Sequence, residues 1–145
     1  FSEMTEKDHR MIKAAYYAMI DLIDAQVGRM LDALERTGQR ENTIVIFMSD
    51  HGEMLGDHGI YLKGAHFYDS AVNVPLIMSL PGTIKAGMRN QSLVELVDIA
   101  PTLLEAAGLG REPGMQGISF WSLLTDGSDV TSHREDIYSE YYNSG

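Results

Sequence analysis

The chain has 145 residues, 44 % of them hydrophobic, which is enough for one domain's worth of buried core. A formal net charge of −10 excludes the excess of Lys and Arg that a nucleic-acid footprint or an anionic membrane surface demands. The absence of cysteine excludes disulfides and thiolate zinc sites, and no apolar run approaches the length of a transmembrane helix; the compartment is left open.

Taken in chain order, apolar residues at Ile12, Tyr16, Met19, Ile20, Ile23, Val27, Met30, Leu31 and Leu34 recur at three and four, which predicts an amphipathic helix over 6–34. Thr5 or Ser2 suits its N-cap, and Gly38 suits the left-handed residue beyond its end. Its acids Asp21, Asp24 and Asp32 belong to the solvated face opposite the stripe. The unbroken apolar run 43–48 predicts a strand buried on both faces. Directly after it comes Ser49-Asp50-His51-Gly52-Glu53-Met54-Leu55-Gly56-Asp57-His58-Gly59. The end of a strand in a parallel sheet is where ligands bind. A hard carboxylate at Asp50 and an imidazole at His51 make half of a divalent-metal site, with a turn or cap role for Asp50 as the alternative. Asp57 and His58 are expected to stabilise the loop, and Lys63 offers a mobile point charge for an anion.

Residues 61–73 mix Gly, Lys, His and aromatics without a period, which predicts a loop ending in a helical turn over 68–72; His66 is a further candidate because it lies near the site in sequence. Residues 74–80 predict a second strand, parallel to the first and next to it, with the long helix packed on one face. Residues 93–97 suit a short strand. Asp98 suits the N-cap of a helix over 99–107, with Pro101 in its first turn and Gly108 past its end. A brief helix over 120–124 with Trp121 in the core, a surface loop over 126–134 and a strand over 137–142 complete the expectations.

Several blocks carry a resemblance. The stretch from Asn42 through Ser49-Asp50-His51-Gly52 to Gly59, then Lys63-Gly64, Phe67-Tyr68-Asp69-Ser70 and Val74-Pro75-Leu76-Ile77, is similar in order and spacing to the second half of type I sulfatases of the alkaline-phosphatase superfamily. The similarity extends back to Leu31–Gly38 and on through Val97-Asp98-Ile99-Ala100-Pro101-Thr102-Leu103-Leu104-Glu105-Ala106-Ala107-Gly108, so it covers most of the chain. It implies an α/β fold with a mostly parallel core sheet flanked by helices. It also implies a metal-dependent sulfuric ester hydrolase in which Asp50 and His51 ligate a divalent ion and Lys63 contacts a sulfate oxygen. Ca²⁺ is the implied ion, with Mn²⁺ or Zn²⁺ kept open by a histidine at 51 where some sulfatases carry asparagine. Asn73 stands where an arginine is common in that family.

The family's nucleophile is a formylglycine made from Cys or Ser in a Cys/Ser-any-Pro-Ser-Arg motif, and further aspartate ligands come from the first strand. Neither feature occurs in this sequence. Residues 1–145 are therefore expected to be the carboxy-terminal portion of a catalytic domain and to be inactive alone. The implied substrate is a sulfate ester, as a small molecule or a glycan. Phosphonate monoester or phosphodiester hydrolysis is the alternative reaction, and a non-catalytic metal- or anion-binding or structural module the alternative class.

Overall fold

The computed structural model describes residues 4–125 and 133–142. The chain divides into two compact units, Phe1–Leu80 and Pro81–Gly145.

The first unit opens with α1 (Glu6–Arg36). Thr5 closes a capping box with Asp8: the Asp8 N–H donates to Thr5 Oγ1 at 3.3 Å, and the Thr5 N–H to Asp8 Oδ2 at 2.8 Å. Such a cap contributes about 1 kcal/mol. At the other end Gly38, at φ 66°, lets Gln39 N–H reach the Leu34 carbonyl and Gly38 N–H the Glu35 carbonyl, the Schellman closure that satisfies carbonyls a helix end leaves orphaned. Both ends agree with the sequence. No residue of α1 is buried, however; Met19, Ile23 and Met30 on its apolar side are exposed. Among the described residues the element it contacts most is the 3-10 turn Arg40–Asn42 that follows it, and it makes no comparable packing on the sheet expected to cover it.

Strand β1 (Val45–Met48) pairs with β2 (Leu76–Ser79), and the pairing is antiparallel, with Phe47 opposite Ile77 and Met48 opposite Leu76. This corrects the parallel arrangement expected from sequence. A parallel neighbour needs a crossover, usually a helix, to carry the chain back. The connection here holds nothing longer than the 3-10 turn Asp57–Gly59 and the four-residue α2 (Asp69–Val72), and it doubles back on itself through Gly52 N–H to Ala71 C=O and Met54 N–H to Leu62 C=O. The chain thus re-enters from the end it left. Nor is β1 buried on both faces: Phe47 and its partner Ile77 are both exposed. The buried apolar residues of this unit, Met54, Tyr61 and Ala71, lie in the connection between the strands.

The second unit is built around Asp98. It ends the 3-10 turn Leu96–Asp98 and begins α3 (Ile99–Ala106), as its expected N-cap, but its side chain makes no cap bond to that helix. The carboxylate is fully buried. It accepts from the N–H groups of Glu95 at 3.0 Å and Ile118 at 2.7 Å, from Arg134 Nε at 2.9 Å and Nη2 at 2.5 Å, and from His133 Nε2 at 3.3 Å. Thr102 Oγ1 donates to the Asp98 carbonyl and accepts from Phe120 N–H. Pro101 in α3, Phe120 just before α4 (Trp121–Thr125) and Leu123 within it are buried apolar residues here, while Trp121 is only half-buried. Residues 93–95 and 137–142 carry no strand. Of the surface loop expected over 126–134, residues 126–132 lie outside the described residues, and His133 and Arg134 turn inward onto Asp98.

Candidate metal and anion site

Strand β1 delivers Ser49, Asp50 and His51 to its carboxyl end, where the backbone turns sharply. Ser49 Oγ donates to the His51 carbonyl at 2.6 Å, and His51 N–H donates to Asp50 Oδ1 at 3.0 Å. Gly52 makes the turn possible through contact: a Cβ there would stand 1.9 Å from the Ser70 carbonyl oxygen, so any side chain would drive the loop off α2.

The imidazole of His51 has a defined polarity. Its Nδ1 lies 2.8 Å from the Gly52 carbonyl oxygen, which only accepts, so Nδ1 carries the proton and Nε2 presents a lone pair. Lys63 Nζ donates to that lone pair at 2.6 Å, and Asp50 Oδ2 lies 3.6 Å from the same nitrogen. The Asp50 side chain is 83 % exposed, so its carboxylate is open to an incoming ion.

Lys63 reaches this point because the loop between it and Glu53 is tightly folded. Glu53 Oε1 accepts from Leu55 N–H at 3.1 Å and Leu62 N–H at 2.6 Å. The 3-10 turn Asp57–Gly59 forms the tip. Tyr61 is buried, stacks on His9 of α1 with ring centroids 5.5 Å apart, and hydrogen-bonds its ring through the hydroxyl. The loop is thereby tied to the helix.

Of the residues singled out from sequence, Asp50, His51 and Lys63 come together and His66 does not join them. The His66 ring is exposed and stacks on Tyr68, whose other neighbour is His58 at a centroid distance of 3.9 Å. Asp57 and His58, expected to stabilise the loop, lie in the 3-10 turn at its tip. Sequence reasoning passed over Glu53, whose role depends on two backbone N–H groups, and Arg134, whose partner is 36 residues away.

The donor set fits a divalent ion only in part. A carboxylate oxygen and Nε2 face the same space, but no third His, Cys, Asp or Glu joins them among the described residues, and a hard cation such as Ca²⁺ takes about six to eight oxygens. An ion on Nε2 would also displace Lys63 from that lone pair and leave its ammonium to an anion.

The sequence pattern of the Sulfatase family matches residues 1–109. Over 126 residues the chain is 42 % identical to arylsulfatase K of Mus musculus, covering 87 % of this chain and 22 % of that protein. Among solved structures it is similar to the phosphonate monoester hydrolase of Agrobacterium radiobacter, at 37 % identity and a TM-score of 0.81 over 89 % of this chain and 26 % of that one. It is also similar to a protein solved in complex with its substrate D-glucosamine-2-N,6-O-disulfate, at 33 % identity and a TM-score of 0.78 over 89 % and 26 %. The chain belongs to the Sulfatase family and carries part of its α/β, alkaline-phosphatase-like fold. It spans 22 % to 26 % of the length of these relatives.

Proposed function

We propose that the protein to which this chain belongs hydrolyses sulfuric esters, and that residues 1–145 are the carboxy-terminal portion of its catalytic domain. The observation that carries this reading is the convergence of Asp50, His51 Nε2 and Lys63 Nζ at the end of β1, with separations of 3.6 and 2.6 Å. Displacement at a sulfuryl centre builds negative charge on its oxygens, and preorganised positive charge aimed at them lowers the barrier. Lys63 supplies that charge from this chain. Asp50 and His51 hold a divalent ion, Ca²⁺ first and Mn²⁺ or Zn²⁺ beside it, together with ligands from elsewhere in the protein. When bound, the ion supplies Lewis-acid polarisation of ester oxygen and nucleophile. The nucleophile itself, a formylglycine by family resemblance, also belongs to the remainder of the protein.

The substrate is a sulfate ester of a small molecule or a glycan, in line with the sulfated sugar bound by one of the similar structures. A second reading, phosphonate monoester or phosphodiester hydrolysis, is favoured by the similarity to the Agrobacterium radiobacter enzyme, since both ester classes present the same tetrahedral anion to Lys63. Turnover of matched aryl sulfate and aryl phosphonate esters by the full-length protein separates them. The first reading requires the higher kcat/KM on the sulfate, and the reverse order selects the second.

A further inference from the structure

Two leucines in the loop leading to Lys63 stand in the left-handed region, Leu55 at φ 45° and Leu62 at φ 65°. Left-handed backbone crowds Cβ against the following carbonyl oxygen, so a leucine stays there only where its surroundings hold it. A single oxygen holds both, because the two N–H groups that Glu53 Oε1 accepts are those of Leu55 and Leu62. A carboxylate acceptor makes each bond roughly twice as strong as a neutral one would be. Leu62 is gripped on its other side as well, its carbonyl accepting from Met54 N–H at 3.1 Å. That carbonyl belongs to the peptide plane joining Leu62 to Lys63, so fixing it fixes the direction in which the lysine leaves the loop.

We propose that Glu53 is a positioning residue for Lys63: its carboxylate gathers the two left-handed leucines, closes the loop, and aims the ammonium at the space beside His51. Glu53 acts through the backbone and touches neither substrate nor ion. The proposal rests on the reading of Lys63 as the anion-contacting residue, and its test separates the two.

The test uses the full-length enzyme, with kcat, KM and thermal midpoint measured on an aryl sulfate for Glu53→Ala, Glu53→Asp, Glu53→Gln, Lys63→Ala and the Glu53→Ala/Lys63→Ala double variant. Glutamine keeps the reach and the acceptor oxygen but loses the charge that strengthens both bonds, so its kcat falls between those of the parent and Glu53→Ala. Aspartate keeps the charge but is a methylene short, so it falls with alanine by about 10-fold or more in kcat, on the scale of about 10²-fold for a misplacement of about 1 Å. Because Glu53 works through Lys63, the double variant turns over within about two-fold of Lys63→Ala alone, the non-additivity of residues acting as one unit. A Glu53→Gln as slow as Glu53→Ala, or losses that multiply in the double variant, would overturn the proposal. Should Glu53→Ala fail to fold, the aspartate and glutamine variants carry the same comparison. Should Lys63→Ala keep the parent kcat, the role given to the lysine falls, and a crystal structure of Glu53→Asp decides the positioning claim alone. Lys63 Nζ moved out of hydrogen-bond reach of His51 Nε2 supports it, and an unmoved lysine refutes it.

Discussion

Asp98→Ala is the change whose cost follows most directly from the packing. The buried carboxylate gathers two backbone N–H groups, both donating nitrogens of Arg134, and His133, so alanine leaves all of them without their acceptor. Removing one partner of a buried ion pair costs about 3–5 kcal/mol, because the other charge stays desolvated. Arg134 retains Glu95 Oε2 at 3.1 Å, which places the expected loss near the lower end, about 3 kcal/mol. The same site predicts a pH dependence. Burial pushes the Asp98 carboxyl up, but hydrogen bonds from Arg134 and from the Glu95 and Ile118 N–H groups outweigh it and hold the group at about 2, below the ordinary 3.8. A lowered folded pKa stabilises above the unfolded value, so this contribution, roughly 2 kcal/mol, is complete above about pH 4 and is lost as pH falls toward 2. Urea unfolding followed through Trp121, the one tryptophan, reads both effects in the unit that contains Asp98. A loss under about 1 kcal/mol for Asp98→Ala at neutral pH, or parent and variant curves that stay equally far apart down to pH 2, would refute the reasoning.

Gly52→Ala should destabilise by about 1–3 kcal/mol, the usual cost of overpacking, since its Cβ would meet the Ser70 carbonyl oxygen at 1.9 Å; an unchanged melting midpoint would contradict the contact. The chain alone should bind Ca²⁺ or Mn²⁺ weakly, because Asp50 and His51 supply only two donors of the shell. Calorimetry giving a nanomolar Kd abolished by Asp50→Ala would mean that the site is complete without further ligands.

What could be read from the sequence was local. The capped helix α1 followed from Thr5, the apolar spacing and Gly38, each acting within a few residues of itself. The position of Asp50 and His51 followed from an apolar run that ends in glycine-punctuated polar residues, and the place of Lys63 from family resemblance. Strand direction did not follow, because sequence separation admits a crossover or a reversal alike. The turn that decides it depends on Gly52 packing flat against Ser70. The hub at Asp98 was also hidden: an aspartate before an apolar helix reads as a cap, whereas its side chain turns to Arg134, 36 residues on. Glu53 carried no signal at all, since neither leucine that it holds is of a type that advertises a positive φ.

The central claim is that Lys63 stands ready for charge that develops on the ester oxygens, and turnover of an aryl sulfate by the full-length Lys63→Ala enzyme tests it most directly. Loss of one electrostatic donor from a preorganised site lowers kcat by about 10²-fold or more, and that is the result this arrangement predicts. A kcat within about two-fold of the parent would contradict it and return Lys63 to the role of a surface lysine resting on His51.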